Sequence, residues 1–252
     1  MEIKALVLRT AGTNCDEETV YALRYADAEA DLLHINILRA NPTKLNDYQI
    51  LCIPGGFSYG DDISAGKVLA LEIRLFLQEQ LTRFIDRGGL IIGICNGFQV
   101  LVKTGLLPAV DGLFRLQASL IENDSGLFVD RWVKLKVENH NTAWTHLVPV
   151  DKLEMPVAHA EGKFVADEAV ASKLRENKQI IFTYTDGTNP NGSLMDIAGI
   201  CDPTGQILGM MPHPERAVVS SQYPDWPKRK EYNQMMPPLD IFRSAVQWLK
   251  KR

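Results

Sequence analysis

Leu90-Ile91-Ile92-Gly93-Ile94 offers no polar side chain to either face of an extended segment. A strand of that kind is stable only where both faces are covered, as at the centre of a parallel sheet clad in helices. The flanking sequence agrees. Lys67–Arg87 carries Leu69, Ile73, Phe76, Leu77, Leu81 and Phe84 at three- and four-residue spacing and ends before Gly88, so the spacing predicts one long helix. Asn96–Thr104 is predicted as a second helix, closed by Gly105. Upstream, Ile3–Leu8, Leu32–Ile37 and Gln49–Ile53 read as strands and Glu17–Ala28 as a helix. This alternation implies an α/β fold, a flavodoxin-like open and mostly parallel sheet flanked by helices.

The second half differs in pattern. Phe114–Asn123, Phe128–Glu138 and Gln179–Thr185 are rich in β-formers, and Ile197–Met211 reads as a hairpin turning at Asp202-Pro203-Thr204-Gly205. These strands are expected to extend the sheet and to add a smaller antiparallel β layer. No Pro-, Gly- or Ser-rich linker and no repeat divides the chain, so one domain over residues 1–252 is expected. Ala217–Pro238 lacks a period and combines Pro224, Pro227, Pro237 and Pro238 with the basic run Lys228-Arg229-Lys230. Loops of that length are usually functional or mobile. Because it starts two residues after Glu215, it is expected to cover a site or to dock on a partner. The last helix is Leu239–Lys250, with Phe242, Ala245, Val246 and Leu249 as its buried stripe.

Several function classes are excluded. With 27 basic against 31 acidic residues the net charge is −4, which argues against nucleic acid and anionic membrane as general partners. The longest uncharged stretch, Gly88–Val102, is too short to span a bilayer. The N-terminus has no basic region followed by an apolar run, so no signal peptide is expected. Four scattered cysteines, without C-x-x-C, form neither a disulfide framework nor a structural zinc site, and a reducing cytoplasm is the expected location.

Gly93-Ile94-Cys95-Asn96-Gly97 carries the chemistry. A core strand ends and a helix begins there, and small residues two before and two after Cys95 permit a sharp turn that lifts the sulfur above the sheet. A helix N-terminus favours negative charge, and the thiolate is the nucleophile. The Asn96 N–H would face an oxyanion formed by attack. A buried structural cysteine between two glycines is the plain alternative. A nucleophilic thiol needs a base and the base an orienting group. Two His-x-Glu arrangements exist, His159-Ala-Glu161 and His213-Pro-Glu215. The second is the stronger candidate, because Pro214 extends the backbone and points His213 and Glu215 the same way. Taken without Cys95, they would be ordinary loop residues. Pro54-Gly55-Gly56-Phe57 follows a strand and could bring a second oxyanion donor, or be a tight turn only. Gln99 lies one helical turn beyond Cys95 and could reach a substrate or bond to backbone. Cys52 and Cys201 read as core residues; Cys15 has no assigned role. No P-loop, no G-x-G-x-x-G and no metal cluster is present, so nucleotide and metal binding by this chain are not expected.

Seven segments, PGGFSYGDD (Pro54–Asp62), GICNGFQVL (Gly93–Leu101), GLLP (Gly105–Pro108), PVAHAEGKF (Pro156–Phe164), QIIFTY (Gln179–Tyr184), NPNGS (Asn189–Ser193) and GMMPHPERAV (Gly209–Val218), follow one another over much of the chain. By these the chain resembles the glutaminase subunits of phosphoribosylformylglycinamidine synthase, within the class I (triad-type) glutamine amidotransferases. The resemblance implies that Cys95 is the nucleophile and His213 and Glu215 its partners. It implies that Gly56 and Asn96 are oxyanion donors and that Gly55, Phe57 and Gln99 belong to the glutamine site. It further implies ammonia delivery to a large synthetase subunit, assembly with a small accessory subunit, and no cofactor in this chain, with ATP and magnesium used by the synthetase. Glutaminase activity of the isolated chain is expected to be weak. Ser220–Pro238 departs from the family, being longer, basic and proline-rich. The alternative enzyme is a stand-alone cysteine amidase or peptidase, and a third reading is a silent binding module on the same fold.

Overall fold

The computed structural model describes residues 2–149, 151–229 and 231–252; Lys230 of the basic run lies outside them. The elements run β1 (Lys4–Arg9), α1 (Asp16–Tyr25), β2 (Glu29–His34), α2 (Ile35–Ala40), β3 (Ile50–Ile53), α3 (Lys67–Phe76), α4 (Gln78–Asp86), β4 (Leu90–Ile94) and α5 (Asn96–Thr104). They continue as β5 (Ala118–Ile121), β6 (Val129–Val137), β7 (Lys152–His159), β8 (Lys163–Ala166), α6 (Glu168–Glu176), β9 (Ile180–Tyr184), β10 (Ile197–Cys201), β11 (Ile207–Met210) and α7 (Leu239–Lys250).

Nine strands form one sheet in the order β2-β1-β3-β4-β11-β10-β9-β6-β7. The β2, β1, β3, β4 and β11 half is parallel, and β10, β9, β6 and β7 extend it antiparallel. The separate antiparallel layer is small, the β5–β8 pair alone. All five residues of β4 are buried, as the sequence demanded. Because β1, β3, β4 and β11 are parallel neighbours, the loops after them gather at one edge, where sites of open α/β sheets form.

Two expectations needed correction. The helix foreseen over Lys67–Arg87 is broken at Leu77, whose φ of −124° ends α3 and starts α4. The break buries Leu77 and leaves Phe76 exposed under the guanidinium of Arg39, 4.4 Å from the ring centroid. The strand foreseen at Leu32–Ile37 instead covers Glu29–His34; the His34 imidazole accepts a hydrogen bond from the Asn36 N–H and caps α2. Four elements had not been foreseen, α2, β7, β8 and α6. The hairpin of β10 and β11 turns at Asp202–Gly205, with the Gly205 N–H donating to the Asp202 carbonyl at 3.0 Å.

Candidate active site

Cys95 sits where β4 ends and α5 begins, at φ 52° and ψ −107°. A non-glycine residue at positive φ is strained and persists only where its surroundings over-determine it. Here the neighbours do so. A Cβ on Gly97 would lie 1.8 Å from the Ile53 carbonyl oxygen, and one on Gly93 2.5 Å from the Gly97 oxygen. Strand, elbow and helix therefore approach at a distance that only glycine permits. The Cys95 N–H donates to the Met210 carbonyl at 2.8 Å, which ties the elbow to β11.

His213 and Glu215 lie just beyond the end of β11, and both are buried. The His213 N–H donates to the Pro156 carbonyl at 2.9 Å, fixing the segment against β7. His213 Nδ1 and Glu215 Oε1 are 2.6 Å apart, and His213 Nε2 has no hydrogen-bond partner among the described residues. A carboxylate that accepts the Nδ1 proton leaves Nε2 as the reactive nitrogen. Burial works against a charged imidazole, but the Glu215 carboxylate, followed by the Cys95 and Cys15 thiols, outweighs it and holds His213 well above its ordinary value. The Cys95 sulfur thus acts on His213 without a well-formed hydrogen bond; it lies 3.5 Å from the Ala158 carbonyl.

Gly55 and Gly56 make this convergence possible. A Cβ on Gly55 would lie 2.7 Å from His213 Cε1, 3.2 Å from Cys15 Sγ and 3.4 Å from Cys95 Cβ. Gly56 has φ +139°, and its N–H has no acceptor among the described residues. Asn96 is the first residue of α5, so its N–H is one of the helix's orphan donors.

A cleft of about 230 Å³ opens over the sulfur, lined by Gly56, Phe57, Asp61, Gln99, Ala158 to Glu161 and, at its floor, Cys95. Phe57 is half-exposed at its mouth and stacks on Phe128, with centroids 6.2 Å apart. Gln99 reaches the wall, but its amide N–H donates to the Glu161 carbonyl at 2.5 Å. Gly55 stands behind the elbow, between the imidazole and Cys15, and outside the cleft wall.

The family of CobB/CobQ-like glutamine amidotransferase domains matches residues 2–249. A protein of Dehalococcoides mccartyi named phosphoribosylformylglycinamidine synthase subunit PurQ is 48% identical, with 99% of each chain covered. A subunit of the same name from Methanococcus maripaludis is 42% identical, with 98% of each covered. The chain belongs to the PurQ family. A solved structure of PurLQS from Thermotoga maritima contains a chain 32% identical to it, with a TM-score of 0.77 over 99% of this chain and 100% of that one.

Three features of this PurQ-family site were not read from the sequence. Cys15, in the loop after β1, places its sulfur 3.8 Å from His213 Nδ1, and burial pushes its thiol up. Only the pairing of β1 with β3, which is non-local, brings it there. Cys15, His213 and Glu215 keep their ligand atoms within 4.8 Å of one another and are the one set among the described residues able to hold a metal, although a hydrogen bond already joins two of them. The second feature is His159, whose Nδ1 lies 3.1 Å from Asn123 Oδ1. Both amide hydrogens of Asn123 go to carbonyls, of Leu127 and His159, so its oxygen accepts and Nδ1 of His159 carries the proton. Burial and the charge of His213 lower His159 to about 4. The third is Gln222, in the long segment after Val218. Its oxygen accepts from the Val218 and Val219 N–H groups at 2.7 and 3.0 Å, and its amide donates to the Glu215 carbonyl at 3.0 Å. No described residue of Ala217–Pro238 lines the cleft; the segment buttresses the backbone of Glu215 instead.

Proposed function

We propose that Cys95, His213 and Glu215 hydrolyse glutamine as a triad, and that the ammonia passes to the synthetase subunit of a phosphoribosylformylglycinamidine synthase. The observation that supports this best is the 2.6 Å contact between His213 Nδ1 and Glu215 Oε1, which leaves Nε2 free beside a sulfur held on a strained elbow. An imidazolium there is the counter-charge that a thiolate at Cys95 requires. The thiolate attacks the carboxamide carbon, and the Gly56 and Asn96 N–H groups receive the negative charge that develops on its oxygen. His213 gives its Nε2 proton to the departing nitrogen, ammonia leaves, and a thioester remains. Neutral His213 then takes a proton from water, the resulting hydroxide attacks the thioester, and glutamate departs as the sulfur recovers its charge.

Ammonia is then consumed where ATP, with magnesium, activates formylglycinamide ribonucleotide, a step assigned to the synthetase subunit, with the small accessory subunit completing the assembly. The test is labelling with 6-diazo-5-oxo-L-norleucine followed by peptide mass mapping, with the partner subunits present. An adduct on Cys95, and no glutaminase in Cys95→Ala, is the expected result. An adduct on Cys15, or none at all, refutes the triad.

A further inference from the structure

Gln99 has both ends of its carboxamide committed, one to the Glu161 carbonyl and the other to Asn96 Nδ2 at 3.0 Å. Recognition of the polar end of glutamine therefore falls to other groups in the wall. Of the cleft-lining residues only Asp61 and Glu161 have carboxyl side chains, and no described lysine or arginine lines the cleft. Glu161 is engaged: its Oε2 lies 3.6 Å from Lys103 Nζ and its Oε1 accepts from the Ala65 N–H at 3.3 Å. Lys103 is spent as well, donating to Ser64 Oγ at 3.1 Å and to the Ala65 carbonyl at 2.5 Å. Asp61 uses one oxygen, Oδ1, which accepts from the Gly66 N–H at 3.2 Å and from Asn96 Nδ2 at 3.1 Å. Its Oδ2 accepts no hydrogen bond among the described residues. Two carboxylates thus share one ammonium, and one negative charge is left facing a half-buried cleft.

The position of that charge matches one end of the substrate. Asn96 follows the nucleophile in sequence and touches Asp61 with its side chain, so the carboxylate stands one side chain away from Cys95. In glutamine, four bonds separate the carboxamide carbon from the α-nitrogen. Burial, with the charge of Glu161 adding to it, raises the Asp61 carboxyl above its ordinary value, the condition that an incoming cation relieves.

We propose that Asp61 binds the α-ammonium group of the substrate, fixing glutamine with its carboxamide over Cys95 and its amino end against the 58–62 turn. This rests on the glutaminase reading above and extends it to the choice of substrate. Asp61 is then the residue that separates an α-amino acid amide from a plain aliphatic amide.

The test compares glutamine with glutaramate, which is glutamine without the α-amino group, on the chain assembled with its synthetase partners. Asp61→Asn keeps an oxygen for Gly66 and Asn96 but removes the charge. Loss of a charge-assisted contact should raise KM for glutamine roughly ten- to a hundredfold, with kcat and the glutaramate kcat/KM little changed. Equal losses on both substrates, or none on either, overturn the proposal, because a structural role would not distinguish them. Asp61→Glu, which restores charge, should recover part of the preference. Alkylation of Cys95 by iodoacetamide, which carries no α-amino group, should proceed at the wild-type rate in Asp61→Asn, while labelling by 6-diazo-5-oxo-L-norleucine slows. If the wild-type assembly hydrolyses no glutamine, the glutaminase reading fails first, and this one with it.

Discussion

Buried and uncharged, His159 should make the protein sensitive to acid in a definite pH window. Its folded-state value is about 4, against an ordinary 6.5, because burial and the charge of His213 disfavour the imidazolium. The unfolded chain therefore binds more protons than the native one between these values, and stability rises with pH across that interval. The contribution is fully present above 6.5 and is lost as pH falls toward 4. The full interval corresponds to about 3 kcal/mol, and about 2 kcal/mol should be gone by pH 5. Other groups titrate in the same range, so the measurement is a difference. His159→Gln keeps an N–H donor for Asn123 Oδ1 but cannot titrate. Urea unfolding of both proteins at pH 7, 6, 5 and 4.5 gives two stability curves. The variant is less stable at pH 7, and the curves converge by about 2 kcal/mol at pH 5. Curves that stay parallel would mean that the imidazole is solvated or already charged in the native state, and the reasoning about its tautomer would fail with them.

Two substitutions probe the elbow and the triad. Gly97→Ala places a methyl group 1.8 Å from the Ile53 carbonyl oxygen, so either strand or helix must move; a loss of about 3 kcal/mol in denaturant unfolding is expected, and an unchanged midpoint would refute the close packing. Glu215→Gln removes the carboxylate that raises His213, so kcat should fall by roughly 10³–10⁴ with KM little changed, and the alkaline limb of the kcat profile should move to lower pH. A severalfold loss with an unmoved limb would show that His213 is oriented by something else.

What could be read from the sequence was local. The elbow is five consecutive residues, and the glycines that permit it are visible as glycines. The bounds of α7 and the β10–β11 hairpin follow from periodicity and turn chemistry in the same way. The break at Leu77 could not be read, because residues on both sides keep helical spacing and only packing decides that Leu77 turns inward. β7 escaped notice for another reason. Leu153, Met155, Val157 and His159 alternate inward as a strand should, but Pro156 in the middle argues against a strand. The structure resolves the conflict by placing β7 at the sheet edge, where a missing N–H costs little. α6 carried a legible signal that was passed over, Asp167, whose carboxylate accepts from the Val170 N–H at 2.8 Å. Cys15 and Asp61 were illegible in principle. Their roles come from four parallel strands ending side by side, and no short window of sequence records which loops will meet.

The long proline-rich segment shows the same limit from the other side. Its composition and position suggested a cover over the site or a docking surface for a partner, and its first turns are tied down. Besides the three bonds of Gln222, Ser220 Oγ donates to the Glu231 carbonyl and accepts from the Gln234 N–H, so the two arms of the loop are joined. Tyr223 packs between Trp132 and the guanidinium of Arg229, with 4.6 and 4.3 Å to the respective contacts, and is buried. Lengthening a loop whose ends are already anchored adds little closure entropy. An insertion here is therefore tolerable so long as the anchor holds, and the anchor grips the backbone of the residue that orients His213. Glu215 has no solvent contact through which to correct a displaced carboxylate. Its geometry must be set by its backbone, and Gln222, seven residues further on, supplies a bond that sets it.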